Sequence, residues 1–114
     1  MTSIDLETWL VEDAGHSVIE KMATNDALSA VEKLTYCLWV ADYGMRNAGD
    51  LATAADLYPP FHNEAAELAA VLQLPRTTSA FGLPLEELER SYFERFDEVC
   101  EEISRALGVP PRAI

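Results

Sequence analysis

Four glutamates, Glu87, Glu94, Glu98 and Glu101, recur at the spacing of one helix face, and Asp97 borders them. On a helix they make a stripe about 60° wide with neighbouring carboxylates about 6 Å apart along the axis. Negative charge at such intervals imitates a run of phosphates, so the ridge can occupy a DNA-binding surface or cap a basic cleft. It also reads as an ordinary solvated face. Arg90 and Arg105 intrude into the stripe, and Glu86–Arg90 and Glu101–Arg105 have the i,i+4 spacing of helical ion pairs, worth roughly a few tenths of a kcal/mol each.

Three other constellations have chemical potential. Glu12, His16 and Glu20 repeat at i,i+4 with Asp13 alongside, offering a divalent ion two or three ligands from one helix. Carboxylate-bridged centres in bundles need Glu-x-x-His from two helices, and His62, in Phe61-His62-Asn63-Glu64, lacks that spacing; no metal or other cofactor is expected. Glu94-Arg95-Phe96-Asp97 has the local spacing of a magnesium-gripping nucleotide hydrolase, but Glu86, Glu87 and Glu89 share its helix and cannot face it. Asp42 falls on an apolar face one turn before Arg46, and Asn47, Gly49 and Asp50 continue a polar knot that either fixes how helices dock or receives a partner. No serine, cysteine or threonine stands at recognisable spacing with a histidine and a carboxylate, and no glycine-rich phosphate loop occurs, so an enzyme is not expected.

The elements that must carry these residues are helical. Leu6, Leu10, Ala14, Val18 and Met22 step by four through a first helix over 5–23, widened by Trp9 and Ile19 and weakened at Gly15. Thr24-Asn25-Asp26 is turn-like. Ser29-Ala30-Val31-Glu32 has capping-box spacing and opens a second helix to about Arg46. Its two apolar faces, Val31, Leu34, Cys37, Leu38, Ala41 and Met45 on one and Tyr36, Trp39, Val40 and Tyr43 on the other, predict a central, sandwiched helix with Trp39 inside. Gly49 suits a left-handed cap, Asp50 caps a short third helix over 51–57, and Pro59-Pro60 ends it. A fourth helix over about 61–72 buries Phe61, Ala65, Leu68, Ala69 and Leu72, with Glu64 and Glu67 outside.

Residues 73–83 show no period and read as a loop, in which Arg76 and Phe81 are candidate contact residues. Pro84 begins the last helix, 84–107, whose stripe Leu85, Leu88, Tyr92, Phe96, Val99, Ile103 and Leu107 must bury itself; Gly108 and Pro110-Pro111 end it. The expected fold is all-α: a compact bundle of four main helices plus one short one, a single domain over 1–109, and a frayed tail at 110–114.

The formal net charge is −12 over 114 residues. Such a surplus repels nucleic acid and anionic membrane, favours a basic protein surface, and also serves solubility. Met1-Thr2-Ser3-Ile4-Asp5-Leu6-Glu7 has neither a basic nor an apolar leader region, so a cytoplasmic protein with no membrane contact is expected, with Cys37 and Cys100 as reduced core thiols.

From Leu34 onward, Leu34-Thr35-Tyr36-Cys37-Leu38-Trp39-Val40 and then Asp42-Tyr43-Gly44-Met45-Arg46-Asn47-Ala48-Gly49 resemble a bacterial all-α domain family of unknown function that includes a DNA-mimic protein. In that family an aromatic-rich helix leads into an Asn-Gly-Gly-Phe turn and a later carboxy-terminal helix. Here the turn is Asn47-Ala48-Gly49-Asp50-Leu51, which keeps Asn47 and Gly49 but lacks one glycine and the aromatic residue; Leu85-Glu86-Glu87-Leu88-Glu89-Arg90-Ser91-Tyr92-Phe93 is similar in pattern. The resemblance implies an acidic helical protein that occupies the DNA-binding surface of a regulator. The residues and the resemblance together point to a non-enzymatic module that blocks a basic partner. A small all-α metal- or nucleotide-dependent hydrolase and a structural homodimer are the alternatives.

Overall fold

The computed structural model describes residues 6, 8–24 and 27–108; the expected tail at 110–114 and Asn25-Asp26 of the first turn lie outside them. Helix α1 opens with a π-helical stretch, Trp9–Ala14, that runs directly into Gly15–Ala23. The wide turn closes where the Gly15 N–H donates to the Leu10 carbonyl, five residues back. Leu6, Leu10, Ala14 and Val18 are buried as their spacing requires, whereas Met22 is exposed and ends the stripe one turn early.

Helix α2, Ala30–Asn47, starts at the expected capping box. The Ser29 hydroxyl accepts the Glu32 N–H at 3.2 Å, and the Glu32 carboxylate accepts the Ser29 N–H at 2.9 Å. The helix is the centre of the fold, packed against α1, α3 (Ala52–Leu57), α4 (Phe61–Val71) and α6 (Leu85–Leu107). Leu34, Cys37, Leu38, Val40 and Ala41 are fully enclosed. Its second face is less buried than expected: Tyr36 and Trp39 are half-buried and Tyr43 is exposed. Gly49 takes the left-handed conformation, φ 75°, that ends the helix.

Short α3 is capped twice, by the Asp50 carboxylate on the Thr53 N–H at 2.9 Å and by Glu89 of α6 on the Leu51 N–H at 2.8 Å. In α4, Phe61, Ala65 and Ala69 are buried, and the small alanines let α2 approach closely. The helix closes with Gln73 at φ 59° and the Leu74 N–H on the Ala69 carbonyl at 2.9 Å.

The segment expected to be a loop contains a further helix, α5, Pro75–Phe81. Pro75 fills the first helical position, where a missing N–H is harmless, and Glu102 of α6 accepts the Arg76 and Thr77 N–H groups at 3.0 and 2.7 Å. Phe81 is 3% exposed and belongs to the core, so it is not a surface contact residue. The described residues thus form six helices and no strand, rather than four main helices and one short one.

Helix α6 lays Leu88, Tyr92, Phe96, Val99, Cys100 and Ile103 across the core, each large apolar side chain contributing about 1.5–3 kcal/mol by burial. Leu85 and Leu107 pack on its margin, and Gly108, at φ 78°, stops it. The radius of gyration is 12.8 Å, close to the roughly 13 Å of a compact domain this size.

Candidate functional site

Because the core locks one face of α6, the opposite face is held outward as a rigid rail. Glu87, Glu94, Glu98 and Glu101 are all exposed on it, and Asp97 is half-buried at its edge. Two of the four have cationic neighbours: Glu98 pairs with Arg76 of α5 at 3.1 Å, and Glu101 with Arg105 at 3.9 Å. Glu87 and Glu94 have none among the described residues, and Glu86–Arg90 does not close into an ion pair. One Asp97 carboxylate oxygen is buried without a hydrogen-bond partner among the described residues.

The remaining carboxylates of α6 do something their spacing does not indicate. Glu89 and Glu102, on the flanks of the helix, reach across to the first turns of α3 and α5, where unpaired N–H groups and the helix dipole favour negative charge. Glu102 also accepts the buried Thr77 hydroxyl at 2.9 Å.

Of the expected polar knot, Asp42 and Arg46 come together. Asp42 is 3% exposed and receives the Arg46 Nε–H on both oxygens, at 2.9 and 3.1 Å. The buried Tyr92 hydroxyl donates to it at 2.8 Å, and the Arg46 guanidinium lies 5.1 and 4.9 Å over the Phe93 and Phe96 rings. Burial, then the Asp42 charge, push the Tyr92 hydroxyl well above its ordinary range. The other two members stay apart: Asn47 bonds the Tyr43 carbonyl at 2.9 Å, and Asp50 caps α3, which holds its carboxyl below the usual range. The network therefore ties α2 to α6, and Asn47 and Asp50 are local.

The Glu12, His16 and Glu20 row lies on the exposed side of α1, where His16 pairs with Glu20 at 3.0 Å. Among the described residues no three histidine, cysteine or acidic side chains gather as metal ligands. Cys37 and Cys100 are free, buried thiols, with Cys37 pushed up to about 12 by burial and then by the Glu64 charge.

A cleft of about 360 Å³ was not evident from the residue pattern. It opens where the end of α1 and the start of α2 meet α4, with Met22, Leu28, Tyr36 and Leu68 as walls. Glu64, expected to point outside, is half-buried there and accepts the Tyr58 hydroxyl at 2.6 Å. That bond raises Tyr58 far above the ordinary phenol range. The one hint in the sequence is that Glu64 sits one turn after Phe61, next to the apolar stripe.

Fold and surfaces together define an all-helical acidic protein in which no helix of the described residues is long and apolar enough to cross a membrane. No protein-family model, curated protein or solved structure matches the chain.

Proposed function

We propose that this chain is a non-enzymatic acidic interaction module whose α6 ridge binds and blocks a basic protein surface, in the manner of a DNA mimic or an immunity-like inhibitor. The observation that carries the reading is the set of four exposed glutamates on a helix whose other face is fixed in the core. Their backbone needs no ordering on binding, and the net charge of −12 steers a cationic partner toward the molecule from any side. The hydrolase alternative gains nothing from the geometry, since Glu86, Glu87, Glu89, Glu94 and Asp97 all stand on α6.

Capture from the source cells, with wild type and a variant carrying glutamine at positions 87, 94, 98 and 101, tests it. Wild type should retain a basic protein at low salt and release it at high salt. The variant should associate roughly tenfold more slowly at low salt, and the gap should close as the Debye length falls toward about 3 Å at 1 M. Equal binding of the two proteins at low salt removes the ridge from the interface.

Exposed Tyr43 and Phe93, 43% and 52%, favour a second reading, a homodimer joined through this aromatic flank. A sedimentation mass that stays monomeric at every concentration eliminates it.

A further inference from the structure

We propose that the cleft between α1, α2 and α4 binds an alkylammonium ion, with Glu64 as its counter-charge and the rings of Tyr36 and Tyr58 as its aromatic walls. This site is separate from the α6 ridge and does not depend on it. Charge accounting leaves two partly buried carboxylates without a cation among the described residues, Asp97 at the edge of α6 and Glu64, and of the two only Glu64 lines this cleft. Glu32 has Lys21, Asp42 has Arg46, and Glu89 and Glu102 have helix N-termini. Glu64 has a tyrosine hydroxyl at 2.6 Å and, 4.0 Å away, a thiol, but no Lys, Arg or His within ion-pair reach among the described residues. A half-buried carboxylate supported only by neutral donors is incompletely compensated, and a cation entering the cleft supplies what is missing.

The walls select the kind of cation. Tyr36 and Tyr58 meet edge to face at 69° with ring centroids 5.2 Å apart, and both line the cleft, so the part of either ring face that this contact and the Tyr36–Trp39 stack leave uncovered attracts a positive charge that has lost water. Met22, Leu28, Leu68 and Val71 line the rest and suit a hydrocarbon body. The volume of about 360 Å³ falls within the range of small-ligand clefts, roughly 300–1,000 Å³. Glu67, close to one turn beyond Glu64, adds negative charge at the rim and Lys33, also on the lining, offsets one of the two carboxylates, so the lining keeps about one net negative charge, the complement of one positive group. A single ammonium on an apolar chain fits this arrangement better than a polyamine. The same chemistry is presented by a free amine and by a lysine side chain of another protein.

The test is titration of the full chain with n-hexylammonium chloride at constant ionic strength, followed by NMR at the Tyr36 and Tyr58 rings. Saturable 1:1 binding is expected, with 1-hexanol binding roughly tenfold more weakly and Glu64→Gln reducing ammonium affinity by a similar factor. The amide oxygen introduced by Glu64→Gln still accepts the Tyr58 hydroxyl, so this variant keeps the local hydrogen bond. Should it fail to fold, Tyr36→Leu, at a half-buried position, replaces it, and the ammonium-against-alcohol comparison on wild type stands regardless. An acetyl-Gly-Lys-Gly-amide arm separates the sources: tighter binding than hexylammonium assigns the site to a partner's lysine, weaker binding to a free amine. The ridge variant should bind the ammonium as wild type does, which keeps failure of the cleft distinct from failure of the ridge. Hexanol binding as tightly as hexylammonium, an unaltered affinity in Glu64→Gln, or no saturation at the two tyrosines overturns the proposal.

Discussion

Asp42 carries a charge into the contact between α2 and α6, and what surrounds it determines how its loss is felt. Asp42→Ala leaves the Arg46 guanidinium over two phenylalanine rings and deprives the buried Tyr92 hydroxyl of this acceptor. The expected loss is about 3–5 kcal/mol. Removing Arg46 as well relieves the stranded charge but not the hydroxyl, so recovery in the double variant is partial. The triple change Asp42→Leu, Arg46→Met, Tyr92→Phe should be more stable than the single one in urea melts; a triple variant no better than Asp42→Ala means the three do not act as a unit. Sequence spacing showed the Asp42–Arg46 pair, because i,i+4 is local, but not Tyr92, which lies 50 residues away. A second prediction concerns alkali. Cys37 and Tyr92 hold their protons more tightly in the folded chain than in the unfolded one. Such groups give stability that is complete below the unfolded value and is lost as pH rises toward the folded one. For Cys37 the window runs from the ordinary 9.0 to about 12. Within it, Cys37→Ala should flatten the fall of unfolding free energy with pH by up to about 1.4 kcal/mol per unit. An unchanged slope would mean the thiol is not desolvated.

At the scale of the helix, Gly15 is where sequence reasoning and packing give opposite signs. Propensity alone makes Gly15→Ala stabilising by about 1 kcal/mol. In the fold, a Cβ there would collide with the Leu10 carbonyl oxygen and lie 2.8 Å from Trp39 Cδ1. A backbone oxygen cannot rotate away, so α1 must give up its π turn or retreat from α2. Gly15→Ala should therefore cost about 1–3 kcal/mol, read from thermal melts; a raised melting temperature would refute the close approach. The glycine is a packing site rather than a weak point. Elements whose signals lie within one or two turns were legible in advance: the Ser29–Glu32 box, the left-handed Gly49, the stop at Gly108, and the long stripe of α6. Helix α5 was not, because its seven residues are too few for a period and its N-terminus is held by Glu102, 25 residues beyond Thr77. The same distance effect hid Phe81 in the core. Spacing alone puts Trp39 too deep, since it fixes which face the ring shares but not whether a neighbour covers that face; the ring stacks between Tyr36 and Tyr43 at 6.2 and 5.7 Å, half-buried. The ridge was readable as a face of one helix, whereas the cleft at Glu64 needed three helices to meet.

Over the whole molecule, two populations within the acidic surplus have opposite effects. Glu32, Asp50, Glu89 and Glu102 accept N–H groups at helix starts, where negative charge stabilises the fold. The exposed remainder repels itself. At about 0.01 M salt the Debye length is about 30 Å, comparable to the molecular extents of 33 × 30 × 29 Å, so every excess charge feels every other. At about 0.15 M it is about 8 Å, and only neighbours interact. Screening also weakens the exposed pairs Glu98–Arg76 and Glu101–Arg105, but such pairs contribute about 0–1 kcal/mol each and are few. Self-repulsion should prevail, and the melting temperature should rise across that salt interval. Substituting glutamine at positions 87, 94, 98 and 101 removes four negative charges and lowers the net charge from −12 to about −8. Because mutual repulsion grows with the square of the charge, the variant should show only about half the salt-induced gain of wild type. A wild-type melting temperature that falls as salt rises would mean that the surface pairs outweigh the repulsion, and that the surplus charge is already neutralised by the way the fold distributes it.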